Sequence, residues 1–66
     1  MGIEELGTGF YEIVKKDLTY RVEIDSQFAK IYRLKDDSFV FCRLTYAYRD
    51  EEEGLDFAGI LEGLDD

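Results

Sequence analysis

Histidine is absent from the 66-residue chain, and cysteine occurs only once, as Cys42. Histidine is the commonest general base in enzymes and a usual zinc ligand, so its absence weighs against catalysis and against a zinc site. One cysteine cannot form an internal disulfide bond, and an unpaired thiol suits the reducing cytoplasm. We therefore expect neither an enzyme nor a bound metal or cofactor.

Long hydrophobic runs and nucleotide-binding loops are also missing. No stretch approaches the roughly 20 apolar residues that a membrane helix requires. The first ten residues lack the basic start and the apolar run of a secretory signal. The Gly7-Thr8-Gly9 segment is too short for a phosphate-binding loop and precedes a predicted strand, whereas such loops precede a helix. These absences predict a cytoplasmic protein that does not bind membranes.

The charge of the chain is sharply segregated. The formal net charge is -8 at pH 7, and residues 1–49 contribute none of it, because they carry eight acids and eight bases. Residues 50–66 carry eight acids and no base. Such segregation says more about partners than about the fold. The acids of this last segment are Asp50, Glu51, Glu52, Glu53, Asp56, Glu62, Asp65 and Asp66.

Residues 10–48 have the pattern of an antiparallel sheet. Leu18–Asp25 alternates apolar and polar residues without error, which is the period of a half-buried strand. Three similar segments are separated from it by short spacers rich in Asp and Ser, which favour turns. Because short spacers join antiparallel neighbours, the sequence predicts a meander of four strands at residues 10–16, 18–25, 28–35 and 39–48.

The last predicted strand is apolar on both sides. Strict alternation directs Val40, Cys42, Leu44, Tyr46 and Tyr48 one way, and Phe39, Phe41 and Arg43 the other. We expect the first set, with Cys42, to lie in the core. The second set, which Phe10 joins, then indicates either a strongly curled, barrel-like sheet or a face buried against another chain.

Residues 50–66 predict an acidic amphipathic helix. Phe57, Ile60, Leu61 and Leu64 have the spacing of one helical stripe. Asp50 and Glu53 fit a capping box at its start, whereas Asp65 and Asp66 oppose the dipole at its end. Three glycines weaken the helix, so it needs a surface to lie on. The expected fold is a single α+β domain, with an N-terminal arm at residues 1–9, a sheet at 10–48 and an acidic helix and tail at 50–66.

The acidic segment also carries the functional prediction. Carboxylates three or four residues apart on a helix lie about 5–6 Å apart at Cβ, close to the spacing of phosphates on a nucleic-acid strand. We therefore expect Asp50, Glu51, Glu52, Glu53 and Asp56 to contact a basic, nucleic-acid-binding surface of a protein partner. The alternative is a solvated helix start that keeps a small protein soluble.

In size and charge, though in no motif, the chain resembles the small acidic phage proteins that block host defence or nucleic-acid enzymes, some of them DNA mimics. The resemblance implies a non-enzymatic inhibitor that binds a protein rather than nucleic acid. Two other functions stay open. One is a dimeric accessory or assembly module that uses an aromatic sheet face with Phe39, Phe41 and Phe10. The other is a nucleic-acid-binding sheet, which the acidic composition disfavours.

Overall fold

The computed structural model describes residues 1–64, and its main element is a five-stranded antiparallel sheet. Consecutive strands are neighbours, so the sheet is a meander. Within residues 1–64 it stays open, with its first and fifth strands at the edges, so it does not close into a barrel. The five strands are β1 (Gly2–Gly7), β2 (Phe10–Lys15), β3 (Leu18–Asp25), β4 (Phe28–Lys35) and β5 (Ser38–Tyr46). A two-stranded hairpin, β6 (Arg49–Asp50) and β7 (Gly54–Leu55), and the short helix α1 (Phe57–Ile60) follow.

Tight turns with left-handed residues hold the meander in register. The pairs Lys15↔Leu18, Asp25↔Phe28 and Lys35↔Ser38 each close a loop of two residues. Residues with positive φ occupy all three loops: Lys16 at 58°, Ser26 at 59°, and Asp36 and Asp37 at 51° and 68°. Turns of this kind match the right-handed twist of the flanking strands, and Asp tolerates the left-handed region better than most residues.

The predicted meander is confirmed, but the sheet has one strand more than expected. Residues 1–9 were predicted to form an N-terminal arm, whereas Gly2–Gly7 pairs with β2. All six residues of this strand are exposed. An edge strand gains backbone hydrogen bonds from its neighbour without burying side chains, so it leaves no alternating pattern in the sequence.

The hydrophobic core lies on one face of the sheet, beneath the C-terminal segment. The predicted stripe packs on its own sheet: Ile60 and Leu61 are fully buried, and Phe57 and Leu64 pack against the core at partial burial. Antiparallel sheets with one covered face are common, and the covered side supplies the apolar contacts. The core consists of Ile13, Tyr20, Val22, Ala29, Ile31, Ala47, Ile60 and Leu61.

The prediction of a long helix at residues 50–66 is wrong. Among residues 50–64, only Phe57–Ile60 is α-helical, and residues 49–55 form the β6–β7 hairpin. The Asp50 carboxylate accepts hydrogen bonds from the backbone N–H groups of Glu52 (2.8 Å) and Glu53 (3.4 Å). The same side-chain bonds serve an Asp turn and a helix cap, so the sequence pattern fits both. Asp65 and Asp66, placed by the prediction at the helix end, lie outside the described residues.

A β-bulge in β5 overturns the prediction that Cys42 lies in the core. Ile31 pairs with Arg43 but Tyr32 pairs with Phe41, so Cys42 is an extra residue between them. Cys42 is exposed. Because the bulge breaks the alternation of the strand, the side chains after it lie on the face opposite to the expected one, whereas those before it keep the expected face.

Candidate functional site

The uncovered face of the sheet carries most of the exposed rings of the molecule. Successive cross-strand pairs on this side of β4 and β5 are Phe28↔Tyr46, Lys30↔Leu44, Tyr32↔Phe41 and Leu34↔Phe39. We call this surface the aromatic face. Its apolar members are Phe10, Val14, Phe28, Tyr32, Leu34, Phe39, Phe41, Leu44 and Tyr46.

Neighbouring rings on the aromatic face contact one another while remaining open to solvent. Phe28 and Tyr46 are stacked, with ring centroids 5.3 Å apart and planes 21° apart. Tyr32 and Phe41 meet edge to face at 5.7 Å. Phe41 is nevertheless 55% exposed and Tyr46 is 57% exposed. These contacts arrange the rings in a preorganised surface whose outer sides remain available for a partner.

Arg21 connects the rings of β2 and β5 across the middle of this face. Its guanidinium carbon lies 4.2 Å from the centre of the Phe39 ring and 5.7 Å from that of Phe10. Its Nε lies 3.3 Å from a carboxylate oxygen of Glu12. Arg21, the two rings, Tyr32 and Glu23 line an open depression of about 290 Å³. The cation is thus held by stacking and by one carboxylate at the same time.

A second ion pair, Lys30–Glu23 at 3.7 Å, lies beside the first. The centre of the face therefore carries two acids and two bases in paired positions. Glu23 and Lys30 are direct cross-strand neighbours of β3 and β4. The pairs leave the middle of the aromatic face without net charge, in contrast to the chain as a whole.

Both edges of the sheet are irregular. In β1, Glu5 pairs with Tyr11 and Gly7 with Phe10, which leaves Leu6 as an extra residue. In β5 the extra residue is Cys42. Bulges at edge strands interrupt the row of free backbone groups that another strand would need for pairing. Pairing of another strand with either edge is therefore disfavoured.

The acids predicted to bind a partner lie on the other side of the molecule, on and after the β6–β7 hairpin. Asp50, Glu53 and Asp56 line one depression of about 280 Å³ together with Met1 and Ile3 of the N-terminal segment. Glu51 and Glu52 are exposed in the turn of the hairpin. Their spacing on a hairpin differs from that on a helix, so the expected match to phosphate spacing loses its geometric basis.

Asp50 and Asp56 also stabilise the local structure through side-chain hydrogen bonds. Asp56 is the N-cap of α1, and its carboxylate accepts a hydrogen bond of 3.0 Å from the backbone N–H of Gly59. Asp50 accepts the two turn hydrogen bonds described above. Substitution of either residue therefore changes local structure as well as charge, whereas Glu51 and Glu52 make no such bond in residues 1–64.

Tyr11 lies on the covered face, close to the hairpin. Its ring packs edge-on against Phe57, with centroids 4.9 Å apart. Partial burial raises the pKa of the Tyr11 phenol above its ordinary value, and the nearby charge of Glu5 raises it further. Arg49 opposes this shift of the pKa.

The sequence found part of the aromatic face and missed the rest. Phe10, Phe39 and Phe41 were correctly grouped, but Leu44 and Tyr46 were assigned to the core side. The bulge at Cys42 returns them to the face of Phe41, and the alternation pattern contains no sign of it. β4 carries apolar residues on both sides, and this pattern could have predicted that Phe28 and Tyr32 lie on the aromatic face.

Arg43 was also placed on the wrong face. It pairs with Ile31 on the covered side, where its guanidinium donates a hydrogen bond of 2.8 Å to the backbone carbonyl of Glu62. This contact connects β5 to the segment after α1. The side chain therefore anchors the C-terminal segment and is directed away from the aromatic face.

Within residues 1–64, no group of three or more acids or cysteines is arranged to hold a metal ion. No helix in this part of the chain is long and apolar enough to cross a bilayer. No family model, curated protein or solved structure matches the chain, so its function has to follow from the chemistry of its own surfaces.

Proposed function

We propose that this protein is a non-enzymatic binding module that docks another polypeptide chain through the aromatic face. The observation that supports this function is the set of contacting, exposed rings on the uncovered side of the sheet. The solvated face of an antiparallel sheet is ordinarily polar. A contiguous apolar patch on a small protein is a mark of an interaction site.

The composition of the face favours a polypeptide over a nucleic acid. Phe, Tyr and Arg are enriched at protein interfaces, and they occupy the centre of this surface. Arg21 and Lys30 are each already paired with a carboxylate. A phosphate backbone would have to displace those carboxylates and approach a chain of net charge -8. The exposed thiol of Cys42 suits action in the reducing cytoplasm.

A matched pair of variants tests this function. Phe41 (55% exposed) and Val40 (48% exposed) are neighbours in β5, but Val40 pairs with Arg33, outside the set of pairs that forms the aromatic face. In affinity capture from cell lysate, Phe41→Glu should abolish recovery of the partner, whereas Val40→Glu should retain it. Unchanged far-UV circular dichroism would show that both variants fold. Equal capture by both variants would refute docking through this face.

A second candidate function uses the acidic hairpin. It is the binding and inhibition of a protein with a basic, nucleic-acid-binding surface, through Asp50, Glu51, Glu52, Glu53 and Asp56. The observation in its favour is that Asp50, Glu53 and Asp56 converge on one depression while Glu51 and Glu52 are exposed beside it. Concentrated negative charge accelerates association with a basic surface.

A further inference from the structure

We propose, on the basis of the proposed docking function, that the occupant of the aromatic face is a second copy of this chain. Two copies would stack their aromatic faces about a two-fold axis, so that each face meets its own equivalent. Two-fold dimers are the commonest protein assemblies, and their interfaces must be self-complementary. The aromatic face meets that requirement in its charge, in its size and in its position on the fold.

Charge is the first argument for a second copy. The net charge of -8 comes entirely from residues 50–66, so the side of the molecule that carries the acidic hairpin repels another copy. The centre of the aromatic face does not, because Glu12 and Glu23 are matched there by Arg21 and Lys30. A surface with equal numbers of paired acids and bases is electrostatically compatible with itself, whereas a basic partner would gain nothing from it. Glu4 and Asp25 lie only at the margin of this side of the sheet.

The size of the face is the second argument. The two largest dimensions of the fold are 36 and 20 Å between Cα atoms. They set an upper limit of about 700 Å² on the footprint of any one face, which is of the same order as the roughly 800 Å² that each partner buries in a stable interface of standard size. One copy therefore covers the face of another without leaving a large exposed remainder.

Position is the third argument. The opposite face of the sheet is already filled by Ile60 and Leu61. The bulges at Leu6 and Cys42 interrupt both edges, so two copies cannot readily extend one continuous sheet. Packing of sheet on sheet, with side chains interdigitated between layers about 10 Å apart, is the arrangement that remains. The two acidic hairpins then lie on the outer sides of the dimer.

Sedimentation equilibrium tests the dimer directly, on the full chain and over about 1 μM to about 1 mM. Wild type and Val40→Glu should sediment as dimers. Phe41→Glu should raise the dissociation constant by at least about 30-fold, the effect of losing one central anchor residue. Leu44→Glu, at a second exposed position of the face, should weaken the dimer as well. Circular dichroism checks that each variant is folded.

Salt provides an independent readout. Because the copies repel through their net charge, raising the ionic strength from about 0.1 M to about 1 M should tighten the dimer. Binding of a basic partner by the hairpin should weaken under the same change. A dimer that weakens with salt would overturn the proposal, since it would show an interface made by unlike charges.

Other outcomes would also overturn the proposal that a second copy occupies the aromatic face. Wild type that stays monomeric throughout the concentration range excludes it. If Phe41→Glu and Val40→Glu leave the dimer equally intact, its interface lies elsewhere on the molecule. If wild type is monomeric while Phe41→Glu alone loses a captured protein, the docking function stands and its occupant is a different chain. If neither assay distinguishes the two variants, the docking function fails too.

Discussion

The hydroxyl of Tyr20 donates a hydrogen bond of 2.7 Å to the backbone carbonyl of Leu64, 44 residues further along the chain. Tyr20 is fully buried in the middle of the sheet, and Leu64 belongs to the segment that covers it. The bond therefore joins the central strand to the end of the described chain. Together with the bond from Arg43 to Glu62, it holds the C-terminal segment on the core.

Tyr20→Phe should lower the free energy of unfolding by about 0.5–1.5 kcal/mol, the usual net contribution of one hydrogen bond. The ring is retained, so the core packing is conserved. Urea denaturation measures the change. The matched control is Tyr46→Phe on the exposed face, which should alter stability by less. A loss no larger than that of the control would contradict an anchoring role for this hydroxyl.

The variants Asp56→Ala and Asp56→Asn distinguish the effect of the hydrogen bond that caps α1 from the effect of the negative charge of Asp56. Ala removes the acceptor for the Gly59 N–H and should cost about 0.5–2 kcal/mol of unfolding free energy, whereas Asn retains an acceptor oxygen and should cost little. Thermal denaturation compares the two variants. Equal destabilisation would show that the charge rather than the hydrogen bond stabilises this segment.

Tyr11 should make the protein sensitive to alkali. Its pKa is raised in the folded state, by burial first and then by Glu5. The neutral phenol stabilises the folded state. This contribution is fully present below the pKa of the phenol in the unfolded chain, near 10, and it is lost as the pH rises through the higher pKa of the phenol in the folded state. The melting temperature should therefore fall more steeply from about pH 9 to about pH 11 in wild type than in Tyr11→Phe. Glu5→Gln should reduce the difference, and identical profiles in wild type and Tyr11→Phe would refute the linkage.

Cys42 should react rapidly with a thiol reagent in the native protein, because it is exposed in the bulge of β5. The rate should approach that in denaturant. Measurement in the Phe41→Glu background removes any protection by a second copy. Slow native labelling in that background would indicate that the strand register carries the thiol inward, as simple alternation predicts.

The hairpin acids should act on the rate of partner association. Replacing Glu51, Glu52 and Glu53 together by Gln should slow association with a basic partner and remove its steep dependence on salt. The fold should stay intact, because the turn depends on the carboxylate of Asp50. Stopped-flow or surface plasmon resonance measures the rate. Salt-independent binding that these changes leave untouched would exclude the hairpin as the binding surface.

Local patterns were sufficient to predict the meander and the residues that cover it. The alternation of Leu18–Asp25 and the Asp- and Ser-rich spacers specify strands and turns through contacts a few residues apart. The spacing of Phe57, Ile60, Leu61 and Leu64 correctly identified the apolar side of the C-terminal segment, although most of it is not helical. Binary patterning selects what is buried more reliably than it selects backbone conformation.

The remaining features were decided by tertiary structure. β1 forms because β2 has an edge that is free to pair, and no pattern in residues 2–7 predicts this strand. Residues 49–55 form a hairpin whose turn is bonded to the Asp50 carboxylate, and the bonds from Tyr20 to Leu64 and from Arg43 to Glu62 hold the later segment on the core. The bulge at Cys42 is a property of the pairing between two strands, and it places Leu44 and Tyr46 beside Phe41. The aromatic face is therefore a product of long-range pairing, since one extra residue in one strand decides which side chains share a surface.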